Sequence, residues 1–266
     1  MTAVNEHVLS VAGRLVRCLE AGTGRPLLLL HSFPLSADQW QPQLERVPAG
    51  WRFVAPDLFG LGPGGGSDAP VSMDAQTHVL AGLMDQLGIA DTAAAGVSMG
   101  GYVALALVGR TASRVSQLVL ADTRAAADTA EARAGRGRMI ALVEAEGVDA
   151  IAREMLPRLV GATTHRERPD VVATVTGLIA ANPVAGVRAA LQAIRDRPDS
   201  APRLGGIRCP VLIMCGAEDV ITPLADSEAM QAAIPGSRLV VLPGAGHLSN
   251  LETPDAFSRA LEEFLS

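Results

Sequence analysis

In the run Gly96-Val97-Ser98-Met99-Gly100-Gly101, a serine stands between two glycines, each two residues away. The run follows the apolar segment Thr92–Val97 and opens a stretch with helical spacing. A serine on a tight strand-to-helix turn exposes its hydroxyl, and the positive end of the helix behind it favours developing negative charge. Large side chains at positions 96 and 100 would strike the adjoining strand and helix. Ser98 is therefore the candidate nucleophile. Gly-x-Ser-x-Gly alone is a weak pattern, and its strand–turn–helix setting makes it specific.

A serine hydroxyl needs a base to take its proton. The base in turn needs an acid that holds its tautomer and stabilises the imidazolium. Of the five histidines, His247 fits best, in the loop Pro243-Gly244-Ala245-Gly246-His247-Leu248 after the last apolar run. His7 and His78 read as surface or helix-face residues, and His165 falls in a helical stretch. His31 reads as a brace for its own loop. Chains with such an elbow place the acid between nucleophile and base. Gly216-Ala217-Glu218-Asp219 follows the apolar run Val211–Cys215, which makes Asp219 the preferred acid. Glu218 is its near competitor, and Asp122, after Leu118–Ala121, the distant one. Two backbone N–H groups should hold the oxyanion. Met99 follows the nucleophile and supplies one. Phe33, in His31-Ser32-Phe33-Pro34, supplies the other, beside a proline that has no N–H and fixes the turn. Trp40 and Leu248 are expected to line an apolar substrate pocket with Phe33 and Met99.

The elements that must position these residues are legible as short apolar runs. Leu27–Leu30, Phe53–Ala55, Thr92–Val97, Leu118–Ala121, Val211–Cys215 and Leu239–Leu242 are apolar on both faces and alternate with helical stretches, the pattern of buried parallel strands. His7–Val11 and Leu15–Leu19 read as an antiparallel hairpin. Helices are expected over Ser72–Leu87, Gly100–Gly109 and Pro254–Leu265, the last with Thr253 as N-cap. From 124 to 205 there are no strand runs. Helical spacing covers Thr129–Gly147, Val148–Leu159, Arg168–Asn182 and Pro183–Asp196, which reads as a helical cap over the sheet.

The chain has 266 residues, 48% of them hydrophobic, enough for one large core with an inserted subdomain. Its 22 basic residues, all arginine, against 28 acidic ones leave a net charge of −6. That balance argues against nucleic acid or an anionic membrane as partner. Without lysine, Schiff-base chemistry, pyridoxal phosphate attachment and Ser–Lys catalysis are excluded. The three cysteines, Cys18, Cys209 and Cys215, form no disulfide framework, and no His/Cys cluster suggests a metal. No cofactor is expected. The first residues lack a basic start followed by a long apolar run, so a cytoplasmic protein is expected.

Four motifs in this order resemble those of the α/β-hydrolase superfamily over essentially the whole chain: His31-Ser32-Phe33-Pro34, Gly96–Gly101, Gly216–Pro223 and Gly246-His247. The resemblance implies an α/β fold with a mostly parallel eight-stranded sheet and a helical cap inserted after the sixth strand. The core domain would be 1–123 with 206–266, and the cap 124–205. Ser32 stands where the family has glycine, which either alters the backbone of the oxyanion loop or adds a hydroxyl near the acyl oxygen, and Ser32 is expected to touch substrate. Phe59 stands where an arginine is common. The serine nucleophile disfavours the dehalogenase and epoxide hydrolase branches. The segments Gly244–Glu252 and Ala121–Arg124 look like those of 3-oxoadipate enol-lactonase-like esterases and lactonases. The resemblance implies hydrolysis of a small-molecule ester or lactone, homoserine-lactone types included, by a chain that could form a homodimer. The alternatives are a general short-chain carboxylesterase with perhydrolase side activity, a carbon–carbon bond hydrolase, or a small-molecule receptor that retains the triad.

Overall fold

A computed structural model of the chain describes residues 2–66 and 72–266. Its strands are β1 (Val4–Val11), β2 (Arg14–Gly22), β3 (Arg25–Leu30), β4 (Trp51–Pro56), β5 (Thr92–Val97), β6 (Val115–Ala121), β7 (Val211–Gly216) and β8 (Arg238–Leu242). They form one eight-stranded sheet in the order β1-β2-β4-β3-β5-β6-β7-β8. β1 pairs antiparallel with β2, and β2 with β4, while the other neighbours are parallel. The hairpin turns at Ala12 and Gly13, both at positive φ.

The period of two along each strand splits the core in two. Leu28, Leu30, Val54, Leu118, Leu120 and Ile213 face one side of the sheet. There they meet α2 (Met73–Gln86), α3 (Met99–Thr111) and α9 (Leu224–Ala233) through Leu80, Val103 and Met230. Leu27, Leu29, Phe53, Val119 and Met214 face the other side, against Leu44 of α1 (Gln41–Leu44) and Phe257 and Leu261 of α11 (Pro254–Leu265). Strands clothed on both faces can be apolar throughout, which is why their runs carry no alternation.

The connection between β6 and β7 holds α4 (Ala130–Glu146), α5 (Val148–Leu159), α6 (Ala162–Glu167), α7 (Pro169–Ala180) and α8 (Val184–Arg195). The expected helices in this stretch appear within a few residues of their bounds. The short α6 had no periodic signal long enough to announce it. A third apolar cluster seats this segment: Leu159, Val175 and Ile179 pack with Leu35, Leu248 and Leu251 from the sheet's loops. The last short helix, α10 (Ser249–Glu252), directly follows the His247 loop.

Candidate active site

Small residues shape the turn at Ser98. A Cβ on Gly100 would come within 2.0 Å of the Leu30 carbonyl oxygen, and one on Gly96 within 2.3 Å of the Gly100 backbone. Strand, turn and helix therefore pack closer than any side chain permits. Ser98 itself sits at φ 54° and ψ −113°. A non-glycine residue held there costs about 1–3 kcal/mol, which the surrounding packing must enforce. Its side chain makes no cap bond to α3. The hydroxyl turns instead to His247 Nε2, 2.7 Å away.

His247 Nδ1 lies 2.8 Å from Asp219 Oδ2. A carboxylate only accepts, so Nδ1 carries the proton and Nε2 accepts from the Ser98 hydroxyl. Asp219 is in turn held by its own loop. Its Oδ1 accepts from the N–H groups of Ile221 (2.8 Å) and Thr222 (3.0 Å), and its Oδ2 from the Thr222 hydroxyl (2.7 Å). Burial pushes this carboxyl up. The imidazole and the donated bonds outweigh it, and the group ends below the usual carboxylate range. The competing acids sit elsewhere. Glu218 accepts from the backbone and hydroxyl of Thr163 in α6. Asp122 is fully buried and accepts from Gly216 N–H (2.8 Å) and from the backbone and hydroxyl of Ser249.

On the other side of Ser98 is the loop after β3. The Leu58 N–H donates to His31 Nε2 (2.9 Å), so His31 Nδ1 carries the proton and donates to the Ser32 carbonyl (2.9 Å). Burial drives the His31 pKa down to about 4, so the ring is a neutral brace. Among the described residues, neither the Phe33 nor the Met99 N–H has a backbone acceptor. An imidazole bonded to a serine hydroxyl on one side and to a buried carboxyl on the other, with two amides that no backbone carbonyl claims in the adjoining turns, can support acyl transfer.

A family model described as the alpha/beta hydrolase fold matches residues 25–254. The chain belongs to that family. A thermophilic esterase from Thermogutta terrifontis, solved with malate bound, is 37% identical, with a TM-score of 0.90 over 98% of both chains. The enol-lactonase from Burkholderia xenovorans LB400 is 28% identical, with a TM-score of 0.90 over 97% of this chain and 99% of that one. In sequence, 3-oxoadipate enol-lactonase 2 from Acinetobacter baylyi is 29% identical over 90% of this chain and 88% of its own.

Four residues expected to touch substrate, Met99, Trp40, Leu248 and Ser32, are fully buried in this α/β-hydrolase, Met99 in the core cluster that holds Leu30 and Val103. Trp40 is fully buried on the far side of the sheet, its ring 5.9 Å from that of Phe257. Leu248 is fully buried in the cluster that seats α5 and α7. Ser32 is also fully buried, and its hydroxyl donates to Gln39 Oε1 (2.8 Å) rather than pointing at a substrate. A cavity of about 670 Å³ lies against α4 and α5 and the Asp219 loop, lined by Arg124, Arg136, Arg138 and Arg158 together with Met155 and Ile221. Glu131 and Glu154 line it too; Arg136 pairs with Asp128 (3.2 Å) and Arg124 faces Asp226 (4.0 Å), while Arg138 and Arg158 have no acidic partner among the described residues. Among the described residues, Arg124 Nε is buried without a partner. Helical spacing in the sequence announced α4 and α5 but not which way their arginines turn. Thr222 was also missed as a support for Asp219, although a hydroxyl residue three positions after an aspartate is a recurring local bonding pattern.

Proposed function

We propose that the chain hydrolyses a carboxylic ester or lactone through an acyl-enzyme on Ser98. The observation that carries this reading is the continuous chain from Ser98 Oγ through His247 to Asp219, with both contacts under 3 Å. Ser98 Oγ attacks the substrate carbonyl carbon as its proton passes to His247 Nε2. The carbonyl oxygen becomes an oxyanion facing the Phe33 and Met99 amides, and such donors contribute most when charge develops in a dry, preorganised site. Asp219 stabilises the imidazolium. His247 then hands the proton to the departing alkoxide, and the same base activates the water that releases the acyl group. In a lactone the alkoxide stays tethered to the acyl group, so a single hydroxy acid leaves.

The esterase and enol-lactonase relatives support this reaction class. The arginine-lined cavity favours a substrate that bears a carboxylate, and the malate-bound form of the esterase relative is in keeping with that. The deciding experiment is steady-state kinetics of wild type and Ser98→Ala on p-nitrophenyl esters and on lactones, each with and without a free carboxylate. Ser98→Ala should lower kcat by roughly 10⁵–10⁶-fold with the fold intact. Retained activity would remove the serine from the mechanism. A carboxylate that leaves kcat/KM unchanged would remove the arginine cavity from substrate recognition.

A further inference from the structure

Behind the Phe33 loop runs a chain of buried amides that the reaction as described does not use. Gln39 lies in the 3₁₀ turn Ala37–Trp40. Its Oε1 accepts both the backbone N–H and the hydroxyl of Ser32, each at 2.8 Å. Its Nε2 donates to Asn250 Oδ1 at 2.9 Å. Asn250 Nδ2 donates back to the Gln39 carbonyl (3.1 Å) and to Gln43 Oε1 (3.2 Å), and Gln43 Nε2 donates to the Asn250 carbonyl (3.1 Å). Ser32, Gln39 and Asn250 are fully buried.

One group sets the direction of this chain. The Ser32 backbone N–H can only donate, so the Gln39 oxygen must face it. The Gln39 nitrogen then faces Asn250, whose own nitrogen must face Gln43. An amide turned the other way would oppose two donors in a dry site.

The consequence falls on the next peptide. The Ser32 carbonyl accepts from His31 Nδ1–H and from the Leu35 N–H (3.0 Å). The peptide plane carries the Phe33 N–H on the side opposite that carbonyl. Holding Ser32 at its N–H, its hydroxyl and its carbonyl therefore fixes where the Phe33 N–H points. The far end of the chain, Asn250, stands three residues after His247 on α10. One relay thus ties the oxyanion loop to the segment that carries the base.

We propose that Gln39 and Asn250 are positioning residues that hold the Phe33 N–H in register with His247, and that the Ser32 hydroxyl is the second anchor of this relay. The inference rests on the serine-nucleophile reading above. Its effect should appear where oxyanion charge appears, in kcat and not in ground-state binding. Removing an oxyanion donor outright costs about 10²–10³ in kcat, so misaiming one should cost roughly 10–100-fold.

The test compares wild type, Gln39→Met, Asn250→Ala and the double variant on the best ester. Two readouts are taken: kcat against KM, and affinity for a trifluoromethyl ketone inhibitor, which forms a tetrahedral oxyanion on a serine. Gln39→Met should lose roughly 10–100-fold in kcat, with KM within about threefold, and lose inhibitor affinity in proportion. The double variant should lose little more than Gln39→Met, because the two residues act in series. A kcat loss without a matching loss of inhibitor affinity, or additive losses, would overturn the proposal. If Gln39→Met fails to fold, Ser32→Ala takes its place with the same paired readouts and a smaller loss. Wild type that neither binds the ketone nor loses activity on Ser98→Ala would instead overturn the serine mechanism itself.

Discussion

β6 and β7 are neighbours in the sheet, and each runs into a buried aspartate, Asp122 after β6 and Asp219 in the loop after β7. Oxygens of the two carboxyls lie within 4.8 Å of each other. Their environments nevertheless push them in opposite directions. Burial and the charge of Asp219 drive Asp122 well above the usual carboxylate range, against the bonds it accepts. At Asp219, His247 and Thr222 outweigh burial and drive it down. Two like charges this close in a dry site oppose one another, so the two carboxyls titrate as a pair and their pKa values are pushed apart. The geometry assigns the charge to the carboxyl that faces the imidazole. Asp122 serves as a strut, since its contact with the Ser249 hydroxyl accommodates either protonation state. Burial of an acid at a strand end therefore does not mark it as the working one. Contact with the histidine does.

The largest effect that tests this comparison is at Asp219. Asp219→Asn sets an amide nitrogen or an uncharged oxygen against His247 Nδ1 and removes the force that holds the tautomer. The expected loss is about 10⁴-fold in kcat, read by steady-state kinetics, with near-ultraviolet circular dichroism unchanged. Asp122→Asn should cost less than about tenfold in kcat, because His247 bonds to Asp219 and not to Asp122, and an asparagine oxygen still accepts from the Gly216 N–H. If Asp122→Asn proves the more damaging change, the roles of the two strand ends are reversed.

The same pair differs in its response to pH. Asp219, lowered in the folded state, stabilises the fold above the ordinary carboxylate pKa and loses that contribution on acidification. Asp122, raised, contributes fully below its unfolded pKa, and its contribution is lost as pH rises through the folded value. Thermal melts across pH should show Asp122→Asn gaining Tm relative to wild type as pH rises. A constant difference would mean that Asp122 does not change its proton on unfolding.

How much of this could be read in the sequence follows from how local each signal is. Ser98, Asp219 and His247 stand in short motifs tied to strand ends, and the strands show as apolar runs because both faces are covered. The structure brings these residues together as that spacing implied. Trp40, Leu248 and Ser32 were misplaced for the opposite reason. An apolar or small polar residue near a motif has a type and a position, but the face of the sheet it turns to is set by long-range packing. Trp40 follows the Phe33 loop by only a few residues yet packs on Phe257, more than two hundred positions away. The Gln39–Asn250 bond, which spans 211 positions, has no local signature at all. Helical spacing does not place the arginines of α4 and α5, and only the fold shows that Arg136, Arg138 and Arg158 line one cavity.

A third strand end gives the smallest and sharpest test of the comparison. Asp57 follows β4 with no histidine beside its carboxyl. It accepts from the Ala37 N–H at 2.7 Å and faces Arg17 at 3.4 Å. Burial dominates and raises its pKa to about 7, although the Ala37 bond and Arg17 pull the other way. If contact with an imidazole is what keeps a buried strand-end carboxyl charged, Asp57 must behave like Asp122 and not like Asp219. The folded pKa is above the unfolded one, so its contribution is complete below the unfolded value and is lost as pH climbs through the folded one. Wild-type Tm should therefore fall between about pH 5 and about pH 8 by more than the Tm of Asp57→Asn, whose side-chain oxygen can still accept from Ala37. The difference should amount to a few degrees at most for a chain of this size. Parallel curves for the two proteins would show that Arg17 holds Asp57 ionised, and that a guanidinium can do at β4 what His247 does at β7.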